Sequence, residues 1–211
     1  MFSWADCAAP FGCLNGNGVD GEDQPTKLPV ETRDFSDGMT SEMLLESAET
    51  GDVEAVERII KSGVVDINAV DEVDSYSALM MSAEAGHLDI VKALKDAGAE
   101  VEIRDSYGRT PLYAAAVAGH IEVVRYLVHQ GADVGALDCE NRSVLWACCA
   151  VRRIDIAAVL LENSDCNLNA VAGSGESAID FAIKHGHAEV AEFLRGQGAI
   201  DTHYGRLNVH H

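Results

Sequence analysis

The 211-residue chain repeats itself every 33 or 34 residues, and this period limits the folds open to it more than any other feature. A hydroxyl residue stands two places before an aliphatic one at Ser77-Ala78-Leu79, Thr110-Pro111-Leu112, Ser143-Val144-Leu145 and Ser177-Ala178-Ile179, in steps of 33, 33 and 34. Gly-His recurs at Gly86-His87, Gly119-His120 and Gly186-His187, and Gly-Ala at Gly98-Ala99, Gly131-Ala132 and Gly198-Ala199. One inserted residue near Asp165-Cys166-Asn167 accounts for the longer step. A more divergent first unit fits Leu44-Leu45, Ala48, Gly51-Asp52 and Gly63, followed by Asp66-Ile67-Asn68.

Each unit reads as two helices. Ser77, Thr110, Ser143 and Ser177 sit where a helix N-cap is wanted, because a hydroxyl accepts from the free N–H groups of the first turn. Pro111 then occupies the first helical position, where its missing donor costs nothing. The first helix is small and apolar (Leu112-Tyr113-Ala114-Ala115-Ala116), so neighbours can approach closely, and Gly86, Gly119 and Gly186 stop it in left-handed backbone. The second helix carries apolar residues at spacings of three and four: Ile121, Val124, Leu127 and Val128, or Ile90, Val91 and Leu94, or Ile156, Val159 and Leu160. Gly98, Gly131 and Gly198 close it, and a polar turn such as Asp105-Ser106-Tyr107-Gly108-Arg109 links to the next unit.

Gly108-Arg109-Thr110-Pro111-Leu112-Tyr113-Ala114-Ala115-Ala116 followed by Gly119-His120 resembles the ankyrin repeat signature, with Tyr113 in its His place. The resemblance covers roughly residues 41 to 203. It implies an all-α solenoid, an array of helix-turn-helix units joined by β-hairpin-like loops, with units at about 41–73, 74–106, 107–139, 140–173 and 174–203. Residues 1–39 lack the period and read as a disordered tail, and 204–211 as a short C-terminal tail in which Tyr204-Gly205-Arg206 echoes Tyr107-Gly108-Arg109. Three substitutions depart from the pattern: Arg152-Arg153 for Gly-His, Ser164-Asp165 for Gly-Ala, and Asp180 in the His place. Looser local packing is expected there.

Chemistry is scarce. Cys148 and Cys149 take the small places held by Ala115 and Ala116, so they read as core residues, and no cysteine pair has the two-residue gap of a zinc or thioredoxin motif. His87, His120 and His187 share one turn position, which marks them as structural. No nucleophile elbow, phosphate loop or dinucleotide fingerprint is present, so no catalytic residue, metal or cofactor is expected and the chain reads as a non-enzyme. A net charge of −20 opposes nucleic acid and anionic lipid. Without a signal peptide or an 18-residue apolar run, a cytoplasmic monomer is expected, the nucleus being the alternative compartment.

The resemblance therefore implies protein binding, as an adaptor, scaffold or regulatory subunit, through hairpin tips and a concave face of first helices. Carried over by position, the tips are residues 70–76, 104–109, 137–142 and 171–176, and the helix places are Glu46, Glu49, Met81, Glu84, Ala114, Val117, Ala147, Ala150, Phe181 and Lys184. The candidate partner-binding residues are Tyr76, Met81, Glu84, Tyr107, Arg109, Val117, Arg142, Trp146 and Ala150. Net charge is graded: −5 in residues 1–40, then −7, −4, −1, −1 and −2 for segments ending at 73, 106, 139, 173 and 211. A partner with a basic segment toward the first unit and an apolar anchor over the third and fourth fits this gradient. Asn68 and Asn169 stand where some family members are hydroxylated, and Cys7 and Cys13 are candidates for acylation or oxidation. The alternatives are an adaptor tethered to a membrane through those acylated cysteines and a non-catalytic subunit or inhibitor of an enzyme.

Overall fold

Among the described residues the repeat period translates into ten α-helices arranged in pairs. In the computed structural model the described residues are 39–163 and 165–201. The helices run α1 (Ser41–Thr50), α2 (Val53–Ser62), α3 (Ala78–Ala85), α4 (Leu88–Asp96), α5 (Pro111–Ala118), α6 (Ile121–His129), α7 (Val144–Ala150), α8 (Ile154–Leu161), α9 (Ala178–Lys184) and α10 (Ala188–Gly196). First helices stack in the order α1, α3, α5, α7, α9; second helices stack as α2, α4, α6, α8; α10 packs on α9. The array is an all-α repeat solenoid. Both expected tails fall outside the described residues, apart from Met39.

Caps define the helix starts. Thr40, Ser77, Thr110, Ser143 and Ser177 all accept from the amide three residues on, and each such cap stabilises its helix by about 1 kcal/mol. Second helices start differently. Asp52 caps α2 through its carboxylate, whereas His87, His120, Arg153 and His187 make no side-chain cap bond to their own helix.

One core threads the array in fixed register. Leu44, Leu79, Leu112, Leu145 and Ile179 repeat one place in the first helices, and Ile59, Leu94, Leu127, Leu160 and Leu194 one place in the second; all are buried. Burying each such side chain stabilises the array by roughly 2 kcal/mol. Ala48, Ala83, Ala116 and Cys149 share a third place, small because the next first helix lies directly against it. In α6 the buried stripe is Val123, Val124 and Leu127, with Ile121 and Val128 only partly covered.

The fourth unit departs less than its sequence suggests. Leu145, Cys148, Cys149, Ile156, Ala157 and Leu160 are as buried as their counterparts, so the expected looser packing is absent. Among the described residues the departure shows in the turn between its helices, where Arg152 holds left-handed backbone (φ 62°) in the glycine's place.

Candidate functional site

The loops between units are short hairpins, reduced to isolated bridges at Val70–Ser77, Leu137–Ser143 and Val171–Ser177. A buried carboxylate organises two of them. Asp105 accepts the amides of Tyr107 (2.9 Å) and Arg109 (2.8 Å) on one oxygen, and Arg109 Nε on the other at 2.6 Å. Asp138 does the same for Glu140, Arg142 and Arg142 Nε, and also accepts the Tyr113 hydroxyl at 3.2 Å. Tyr113, in the signature's His place, thus ties the third unit to the hairpin that follows it. Burial, followed by the charge of Asp138, raises the Tyr113 hydroxyl well above the ordinary tyrosine range, so it remains a donor. The repeated Asp-x-x-x-Arg spacing, Asp105 to Arg109 and Asp138 to Arg142, is the signal in the sequence for these knots; the arginines alone resemble exposed anchors.

Adjacent hairpins are joined edge to edge. Ser106 donates to the Asp74 carbonyl, Cys139 to Tyr107 and Gly173 to Glu140, at 2.8, 2.9 and 2.7 Å. Side chains add further ties. Asn68 Oδ1 accepts from Glu100 N–H and Asn169 Oδ1 from Ile200 N–H (2.9 and 2.8 Å), so both candidates for hydroxylation already serve as acceptors between units. His87 Nε2 donates to the Glu49 carbonyl at 3.1 Å, and Arg153, standing in for the histidine, donates to the Ala118 carbonyl at 3.0 Å.

The candidate residues separate by exposure. Tyr107 is 49% exposed, and Tyr76, Met81, Glu84 and Ala150 are partly covered. Val117 and Trp146 are buried at 6% and 9% exposure, so they form the floor of the face and project little from it. Arg109 lies over the rings of Tyr107 and Tyr76, at 4.8 and 5.8 Å, while paired with Asp105. Arg142 lies over Trp146 at 5.6 Å while paired with Asp138 and Glu140. Both guanidiniums therefore hold hairpins together, which limits them as contact anchors. Tyr76 is brought to Glu84 through its hydroxyl; burial, then the Glu84 charge, raises it far above its usual range. Cys7 and Cys13 lie outside the described residues.

The first-helix face changes character along the array. Glu42, Glu46 and Glu49 are exposed on α1, and Glu84 follows on α3. The corresponding places become Ala114 and Val117 on α5, then Ala147 and Ala150 on α7, then Phe181 and Lys184 on α9. Phe181 packs against Trp146 (centroids 4.6 Å apart) and stacks on His185 at 4.1 Å. Val73 at a hairpin tip is 82% exposed.

Among the described residues no group of three metal-binding side chains converges, and no helix is long and apolar enough to cross a membrane. A family model of ankyrin repeats matches residues 44–138 and 130–203. The chain belongs to the ankyrin repeat family. Among curated proteins this family member is 34% identical over 71 residues to ankyrin repeat domain-containing protein 40 of Mus musculus, covering 34% of the chain and 19% of that protein. It is 36% identical over 95 residues to serine/threonine-protein kinase 12 of Arabidopsis thaliana, covering 41% of the chain and 20% of the kinase. It is 39% identical over 70 residues to cortactin-binding protein 2 of Rattus norvegicus, covering 33% of the chain and 4% of that protein. The chain spans a fifth or less of these relatives. Ankyrin arrays are generally non-catalytic, and the matches to kinases involve the repeats.

Proposed function

We propose that this array is a non-catalytic binding module, acting as a monomeric adaptor or regulatory subunit, that holds a partner protein across its hairpin tips and first-helix face. Ankyrin repeats are general protein–protein interaction modules. The observation that supports a directional reading is the graded first-helix face: exposed Glu42, Glu46 and Glu49 at one end, small apolar residues in the middle. A basic segment of the partner lies along α1 and α3, and an apolar side chain rests on the floor of Val117, Ala150 and Trp146, beside Tyr107. The face is built before the partner arrives, so little ordering entropy opposes association.

Affinity capture with the native chain and with a Glu46→Lys, Glu49→Lys, Glu72→Lys variant tests this. All three residues are exposed, so the melting temperature should not move. A protein retained by the native chain and lost from the variant is the expected result; identical capture by both contradicts the charge-guided surface. The kinase among the relatives favours a second reading, an array that accompanies an enzyme. An enzyme among the proteins lost from the variant would select it.

A further inference from the structure

Large apolar side chains left exposed on the array gather on its hairpins, at Val70, Val73, Tyr107, Leu137 and Val171. Three of them hold one place. Val70, Leu137 and Val171 each bridge to the serine that caps the following first helix, and they are 41%, 40% and 51% exposed. In the remaining hairpin that place belongs to Arg104: the next residue, Asp105, donates its amide to the Arg109 carbonyl as Asp138 does to Arg142 and Ala172 to Glu176. Neighbouring places touch, because the Arg104 guanidinium donates to the Leu137 carbonyl at 2.7 Å. Arg109 and Arg142 are paired with buried aspartates, whereas Arg104 is exposed and forms no ion pair with a described residue.

The row Val70, Arg104, Leu137, Val171 has a spacing that selects the shape of its occupant. Stacked helices lie roughly 8–10 Å apart, and an extended chain gains about 3.3 Å per residue. Every third side chain of an extended segment crossing the hairpins therefore meets the same place in the next unit, and about ten residues reach all four. A helix rises about 1.5 Å per residue and would need roughly 22 residues to do the same, with most of its turns facing no member of the row. Charge fixes the register along the segment. Glu72 and Glu140 are exposed in the hairpins on either side of Arg104, so a carboxylate is favoured at Arg104 and opposed beside it.

We propose that this row takes an extended segment of the partner protein, with aliphatic side chains against Val70, Leu137 and Val171 and a carboxylate at Arg104, each three residues from the next. This rests on the array being a protein-binding module and adds the pattern the module selects: an acidic residue with an aliphatic one three places to either side, and a further aliphatic three places beyond on the Val171 side.

The test is a phage-displayed library of random peptides about twelve residues long, enough to span the row at 3.3 Å per residue, panned on the full chain and on Arg104→Glu and Arg104→Gln variants. The native chain should enrich the acidic-aliphatic pattern at three-residue spacing. Arg104→Glu should keep the aliphatic spacing and exchange the acidic residue for lysine or arginine; Arg104→Gln, which keeps a donor, should lose the acidic preference and covers the case of a charge reversal that lowers the melting temperature. A peptide selected by the native chain should bind a Leu137→Ser, Val171→Ser variant about tenfold more weakly. Aliphatic residues seven apart, as a helical partner places them, the same peptides from all three chains, or no enrichment overturns the proposal. The capture experiment with the Glu46, Glu49 and Glu72 variant is scored separately, so a charge-dependent partner found there alongside any of these outcomes leaves the binding module standing and removes only the hairpin pattern.

Discussion

Arg152 sits at φ 62° where the second, third and fifth units place Gly86, Gly119 and Gly186, all in left-handed backbone. A side chain there costs roughly 1 kcal/mol, so Arg152→Gly should stabilise the array by about that amount in urea denaturation. Gly86 is the reverse case. At φ 80° a Cβ would be strained and would also run into the His120 ring, whereas at Gly131 (φ 88°) nothing lies within 4 Å. Gly131→Ala should therefore cost about 1 kcal/mol and Gly86→Ala clearly more; equal losses would mean that the His120 contact is not tight. His187 carries a pH prediction. Its Nδ1 is buried with no hydrogen-bond partner among the described residues. Burial and then the nearby Arg152 charge hold its pKa below the ordinary histidine value, against a backbone hydrogen bond at Cys149 that favours protonation. The unfolded chain thus takes up this proton more readily. The resulting stability is present above pH of about 6.5 and lost as pH falls toward the lowered folded value. His187→Gln should flatten that part of the stability–pH curve, and Arg152→Gly should reduce its slope.

Helices and hairpins carry different kinds of information, and the sequence shows them unequally. Caps, stop glycines and the buried ladder were legible because they repeat with the period: Ser77, Thr110, Ser143 and Ser177 cap as their spacing implies. The hairpin knots were not, because Arg109 and Arg142 resemble exposed anchors until Asp105 and Asp138 are found buried beneath them. Exposure of Val117 and Trp146 was equally hidden, since it depends on how closely α5, α7 and α9 stack. Asp138→Ala should therefore cost about 3 kcal/mol by removing the buried acceptor of the Tyr113 hydroxyl, of the Arg142 Nε–H and of two hairpin amides, where replacing an exposed acid such as Glu46 costs nearly nothing. Thiol chemistry separates the helices from the loops in the same way. Burial pushes Cys149 up to about 12 and Cys166 up to about 11, and raises Cys148 well above its usual value, while Cys139 is exposed at a hairpin tip. With iodoacetamide at neutral pH, Cys139 should react in the folded protein and Cys148 and Cys149 only after unfolding. Labelling of all three at one rate would contradict the buried placement.

At the scale of the molecule the period does most of the specifying: every unit buries its neighbour's face, and one core runs through α1 to α10. That architecture leaves two broad surfaces, the first-helix face with its hairpin tips and the outer side of the second helices. Charge and apolar grading mark the former, with Glu42, Glu46 and Glu49 at one end, Val117 and Ala150 in the middle and Val73 and Tyr107 at the tips. The outer side carries scattered pairs such as Lys61–Glu57, Lys92–Asp89 and Arg125–Glu162, exposed pairs that contribute little. The most direct test of which surface is used is hydrogen-exchange footprinting of the array with a captured partner bound. Protection should concentrate on α1, α3, α5 and α7 and on residues 70–76 and 104–109, with α2, α4, α6 and α8 unchanged. Protection concentrated on the second helices would contradict it.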